Sequence, residues 1–242
     1  MPTASPRFSQ GTLSFLKRLK RNNRREWFNA RRDEYEEVVR QPMIAIIERL
    51  AVDMRAIAPE LLVSPKHSIY RIYRDTRFSE NKAPYKTHVA ASFWHRELAK
   101  GMGAGMYFHV SPEGVWVGGG MYASETPQLQ AVREQIATNL RRFRSIVEAP
   151  AFRRALDGGL EGERLQRVPR GFPKDHEAAE YLKYRQFLAG REFPVRFATA
   201  SGFYSGVLGV FRQVAPLIRF LNEPLCDHNR GIRRSGDLAI SV

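Results

Sequence analysis

The sequence predicts an α+β protein: a central antiparallel sheet of meander or hairpin type, over about residues 67–122, flanked by N-terminal and C-terminal helices. Three observations predict it. Up to about residue 60, apolar residues recur at spacings of three and four. The middle of the chain then alternates and is rich in β-branched and aromatic residues around the turn signal Ser111-Pro112-Glu113-Gly114. The helical period returns at Thr126.

The first helix runs from Ser9 to Lys20, with Leu13, Phe15, Leu16 and Leu19 inward, and Asn22-Asn23 breaks it. Asn23 followed by Glu26 reads as a capping box, so a second helix starts there and turns Trp27, Phe28, Tyr35, Val38 and Val39 inward. Pro42 opens a third, with Ile46, Ile47, Leu50, Met54 and Ile57 in phase.

Strands are expected at about 67–76, 87–94, 104–110 and 115–122. With 111–114 as the hairpin loop, Val110 faces Val115, Phe108 faces Val117 and Met106 faces Gly119, which makes an apolar core face. The other face carries Tyr107, His109, Trp116 and Tyr122 among Gly105, Gly118 and Gly120.

Thr126-Pro127 starts a helix through Leu129, Val132, Ile136, Leu140, Phe143 and Val147. Residues 156–175 read as loop, with a short strand at 164–168. Asp175 caps a helix to Ala189, and a last helix covers about 201–222. Residues 1–225 are read as a single domain and 226–242 as a flexible C-terminal tail.

Of the 242 residues 43% are apolar and 11% aromatic, enough for a real core, and the net charge of +14 favours anionic partners. The single cysteine, Cys226, rules out an intramolecular disulfide. The N-terminal residues lack an apolar signal core, and no apolar stretch reaches the roughly 20 residues of a spanning helix. A soluble cytoplasmic protein without a membrane partner is expected.

P-loop and dinucleotide fingerprints are absent; Gly101-Met102-Gly103-Ala104-Gly105 precedes a strand, not the helix that would hold a phosphate. Cys226 and His228 have a chelating spacing but stand alone. Asp175, His176 and Glu177 sit at an expected helix start. No metal site is assigned, no cofactor is called for, and no catalytic residue is named.

The densest chemistry lies in "YRDTRFSENKAPYKTH", residues 73–88. Arg74, Arg77, Lys82 and Lys86 are the candidate anion-binding residues at a strand-turn edge, because guanidinium forks and ammonium charges suit phosphate or carboxylate. Asp75 would orient an arginine, Tyr85 would wall the pocket, and Tyr107, Trp116 and Tyr122 offer an aromatic surface for a ring. The same residues equally suit a structural Arg–Asp network. A second basic region, Lys17, Arg18, Lys20, Arg21, Arg24, Arg25, Arg31 and Arg32, can track a phosphate backbone, with Arg18, Arg21 and Arg25 at helical spacing.

Four stretches occur in order: "FLKRLKRNNRREWF", "RIYRDTRFSENKAPYKTH", "GGGMYASETPQLQAVREQI" and "RVPRGFPKDHEAAEYLKYRQF". Together they resemble the DUF2461 family of uncharacterised conserved proteins, over about residues 8–225. The resemblance implies that Asn22, Asn23, Trp27, Phe28, Arg74, Asp75, Arg77, Phe78, Lys82, Pro84, Tyr85 and Lys86 belong to family motifs; it supplies no activity or cofactor.

Three functions are therefore weighed. The first is binding of an anionic, phosphate-bearing small molecule through residues 74–86. The second is a hydrolase or phosphoryl-transfer enzyme using the same pocket, with Asp75 as base. The third is nucleic-acid binding by the basic N-terminal helices.

Overall fold

The structure, a computed structural model, describes residues 5–122 and 126–238, and side chains as far as Asp227. Helices α1 (Gln10–Arg21), α2 (Arg25–Asn29) and α3 (Arg32–Tyr35) lead through a π-helical turn, Glu36–Arg40, into α4 (Gln41–Ile57). Then come β1 (Leu61–Leu62), α5 (Pro65–Ser68), β2 (Val89–His95), β3 (Gly105–Val110) and β4 (Gly114–Met121). Helices α6 (Thr126–Thr138), α7 (Leu140–Val147), α8 (Pro150–Ala155) and α9 (Ala179–Leu182) precede β5 (Phe187–Pro194), a 3-10 turn, Val195–Thr199, and α10 (Phe203–Leu238). The strands form one antiparallel sheet in the order β1-β2-β3-β4-β5, with helices at both ends of the chain: an α+β fold.

The chain divides into two compact units. The first comprises residues up to Phe93, Tyr107–Val117 and Glu192–Gly209; the second comprises Trp94–Met106, Gly118–Arg191 and the chain from Val210 onward.

In the first unit α1 buries Leu13, Phe15, Leu16 and Leu19, the apolar stripe read from the sequence. Ser9 caps it, exchanging hydrogen bonds with Thr12 in a capping box. The Thr12 hydroxyl also donates to the carbonyl of Val38 at 2.5 Å. That carbonyl belongs to the π-helical turn that precedes Pro42, whose nitrogen carries no N–H for the helix, and here a side chain from another helix donates to it. Phe15, Phe28, Tyr35 and Tyr85 build an aromatic cluster, with Phe28 and Tyr85 stacked at 4.2 Å. The β3–β4 hairpin closes where Ser111 N–H donates to Gly114 O at 2.9 Å, which gives the Val110–Val115 register.

In the second unit Phe143 of α7 packs on Phe220 of α10 at 5.2 Å and on Tyr181 at 5.1 Å. Gly120 of β4 has φ +139, and a Cβ there would lie 1.9 Å from Phe187 O. Only glycine lets β5 approach so closely. Asn222 of α10 pins the entry to β3: Ala104 N–H donates to its Oδ1 at 2.8 Å, and its Nδ2 donates to Ala104 O at 3.0 Å.

Four expected elements are corrected. Residues 67–76 form no continuous strand; α5 ends at Ser68, and only isolated bridges, Ile69 to Ala91 and Tyr73 to Tyr85, follow. Pro84 opposite cannot donate to a ladder, and arginines on both sides forbid two-sided burial. Residues 175–189 form a single helical turn, α9, and then the strand β5, which buries Phe187 and Ala189. The expected strand at 164–168 is reduced to one bridge, Arg164 to Tyr184. The last helix continues to Leu238, past its expected end near 222. Residues 239–242 of the expected tail lie outside the described residues.

Candidate functional site

In the first unit, residues 71–88 turn back on themselves. Lys86 N–H donates to Ile72 O at 2.7 Å and Arg74 N–H to Pro84 O at 2.9 Å. The turn is docked on the α1–α2 junction by Asn23, whose side-chain amide pairs in both directions with the backbone of Tyr85, at 2.9 and 3.0 Å. Asn23 is therefore not a helix cap. Arg24 occupies the cap position of α2 without a side-chain bond, since a guanidinium offers no acceptor for the first N–H groups of the helix.

The cations of the turn have mostly carbonyl partners. Lys86 Nζ donates to Arg71 O at 2.8 Å and to Tyr73 O at 2.9 Å. Arg74 donates to Ala83 O at 3.2 Å and to the Ser79 hydroxyl at 3.3 Å. Lys82 donates to Thr76 O at 3.0 Å. Arg77 has a carboxylate partner: it grips Asp75 through two side-chain bonds, at 3.1 and 2.7 Å, and through its backbone N–H. This clamp holds the Asp75 carboxyl below its ordinary range.

Beside the turn lies a cleft of about 590 Å³, lined among others by Lys20, Asn23, Arg74, Asp75, Lys86 and His88. Burial, and then the charges of Arg71 and Arg74, hold the Lys86 ammonium below its usual range. His88 is pushed down to about 4, by burial first and then by His109 and Lys86. Tyr85 also lines the cleft but is 3% exposed, so it is a core residue that forms the floor.

Of the four expected anion contacts, Arg74 and Lys86 line the cleft, whereas the bonds of Arg77 and Lys82 go to their own loop. His88, the last residue of the central motif, joins the site, and so do Lys20 and Asn23 from outside that motif. Lys20 belongs to the second basic region, and Asn23 is the residue expected as a helix cap.

Tyr107 and Trp116 do share a face, 5.9 Å apart, and His109 lies 5.6 Å from Tyr107. The ring of His88 is 5.5 Å from His109, so this row of rings reaches the cleft. Tyr122 belongs to the second unit, exposed just past β4.

The basic N-terminal region is partly neutralised. Arg18 pairs with Glu34, Lys20 with Glu113, and Arg31 lies over the Trp27 ring at 4.7 Å. Arg21, Arg24 and Arg25 are exposed. The break between α1 and α2 separates Arg25 from the face of Arg18 and Arg21.

In the second unit Cys226 meets His95; the side chain of His228, at the chelating spacing from it, lies outside the described residues. The Cys226 Sγ lies 3.7 Å from each ring nitrogen of His95, with Glu97 nearby. Equal distances place the sulfur across the ring, off the line of either lone pair, and Nδ1 already accepts the Glu97 N–H at 3.2 Å. This is the geometry of a packed contact. Among the described residues, no helix is long and apolar enough to cross a membrane.

No curated protein matches the chain. The family model of a conserved hypothetical protein, DUF2461, matches residues 11–220 and so spans α1, the basic turn, the hairpin and most of α10. The chain belongs to the DUF2461 family.

Proposed function

We propose that the protein binds a phosphate-bearing anion in the cleft of its first unit, with Arg74 and Lys86 as direct contacts and Lys20 at the rim. One observation carries this reading. Arg74 and Lys86 line a cleft whose lining aspartate among the described residues, Asp75, is clamped by Arg77. Their partners are neutral oxygens, and Lys86 is held below its usual range by burial and by Arg71 and Arg74. An anion between them relieves that repulsion and adds charge-assisted hydrogen bonds.

The test is calorimetric titration with inorganic phosphate and pyrophosphate, beside the double variant Arg74→Gln/Lys86→Gln. Binding by the wild type, with at least about tenfold loss in the variant, supports the reading. Binding of equal strength in a folded variant removes it. Nucleic acid is the second reading, favoured by the exposed Arg21, Arg24 and Arg25 beside the cleft residues Lys20 and Asn23. It requires an affinity that falls by about 0.9 log units per tenfold rise in salt for each duplex phosphate neutralised, and that drops on charge reversal at those arginines.

A further inference from the structure

We infer that the ligand of this cleft is a nucleotide, whose heterocycle lies in the adjoining groove against Trp116 and His109. The inference rests on the anion reading above and names the rest of the molecule.

The groove, of about 370 Å³, is lined by His109, Glu113, Trp116, Glu192, Phe193 and Pro194 among others. It meets the cleft along two contacts. Lys20, which lines the cleft, is paired with Glu113, which lines the groove. His88 and His109, one from each, have rings 5.5 Å apart. A ligand anchored beside Lys86 thus has a route past this boundary into the groove.

The two spaces differ in charge. The cleft presents Arg74 and Lys86, with Asp75 clamped by Arg77 and Lys20 paired with Glu113 at the boundary. The groove presents two carboxylates, Glu113 and Glu192, and the hydrogen bond from Lys20 holds Glu113 below its ordinary range. A phosphate is repelled there, whereas ribose hydroxyls and exocyclic amines are donors that carboxylates accept. A nucleotide carries this division in one molecule: an anionic end, and a neutral end rich in donors.

The groove also has a flat apolar wall and an idle polar atom. Trp116 is half-buried on the row that includes Tyr107, and stacking on such a ring suits any base. His109 Nδ1 is buried and has no hydrogen-bond partner among the described residues. Burial holds His109 below its usual range, so the ring is neutral and can accept or donate one bond. A buried polar atom without a partner is costly, and a base edge or a sugar hydroxyl supplies one.

The experiment is calorimetry on the full chain with inorganic phosphate, ribose 5-phosphate and the monophosphates of adenosine, guanosine, cytidine and uridine. The variants are Trp116→Leu, Glu192→Gln and Lys86→Gln. At least one nucleotide should bind about tenfold or more tightly than ribose 5-phosphate, and Trp116→Leu should erase that difference while leaving ribose 5-phosphate unchanged. If Trp116→Leu does not fold, the exposed Glu192→Gln should lower the preference severalfold. Equal binding of all four nucleotides and ribose 5-phosphate, lost in Lys86→Gln, overturns the nucleotide inference and leaves the anion reading standing. No binding of any probe overturns both.

Discussion

The side-chain amide of Asn23 takes the place of a neighbouring strand for Tyr85: it donates to the Tyr85 carbonyl at 2.9 Å and accepts its N–H at 3.0 Å. Both backbone groups belong to a nearly buried residue whose ring stacks on Phe28. The basic turn is thereby anchored to the α1–α2 junction, and Asn23 and Tyr85 line the cleft together. Asn23→Ala should cost about 2 kcal/mol in denaturant unfolding, because two backbone groups lose their partners at once. It should also weaken phosphate binding, since Arg74 and Lys86 ride on the released segment. A loss below about 0.5 kcal/mol would mean that water replaces the amide and that the anchor is unimportant.

The hydroxyl of Thr12 and the missing N–H of Pro42 form a second coupled pair. Thr12→Val keeps the shape and leaves the Val38 carbonyl without its donor. It should cost about 1–2 kcal/mol. In a Pro42→Ala background the helix can supply an N–H to that carbonyl, so the same substitution should cost less. A double-mutant cycle measures the difference; strict additivity would sever the proposed link.

Much of the fold is legible where local pattern and burial agree. The stripe Leu13, Phe15, Leu16 and Leu19 is at helical spacing and is buried. Ser111 to Gly114 marks the hairpin, and Val110 and Val115 both lie on the core face. The failures share one cause, which is a partner distant in sequence. Asn23 has the spacing of a capping box with Glu26, but its amide goes to Tyr85. Residues 187–194 lack the length to separate strand from helix by period, and the sheet decides the matter. Within the site, the cations at 74 and 86 are visible as residue types. That Asp75 serves Arg77 and not the cleft is a matter of rotamer and loop path, and so is the row from His88 to Trp116.

Arg133 in the second unit is 7% exposed. It donates to Tyr184 O at 3.0 Å, and its Nε has no hydrogen-bond partner among the described residues. Burial, and then Arg185, hold it below its usual range, so the fold disfavours its charge. Replacing a buried cation by an apolar side chain of similar length is often neutral or stabilising. Arg133→Met should therefore leave the midpoint of urea unfolding unchanged or raise stability by about 1 kcal/mol. A loss above about 2 kcal/mol would show that the bond to Tyr184 outweighs the desolvation.

Acid should weaken the first unit through its half-buried histidines. His88 is pushed down to about 4 from 6.5, by burial first, then by His109 and Lys86, with Glu113 opposing. His109 is lowered by burial, with Glu192 opposing. A lowered histidine takes up its proton more readily in the unfolded chain. Its contribution to stability is thus complete above about pH 6.5 and is lost as pH falls toward about 4. Arg77 and Lys20 hold the Asp75 and Glu113 carboxyls below their ordinary range. The wild type should lose about 2 kcal/mol between pH 7 and about 4.5, after discounting for partial solvent exposure of the ring. His88→Gln cannot take up that proton and should show a shallower slope across the same range. An unchanged slope in the variant would place the acid sensitivity elsewhere and remove the His88–His109 pair as its source.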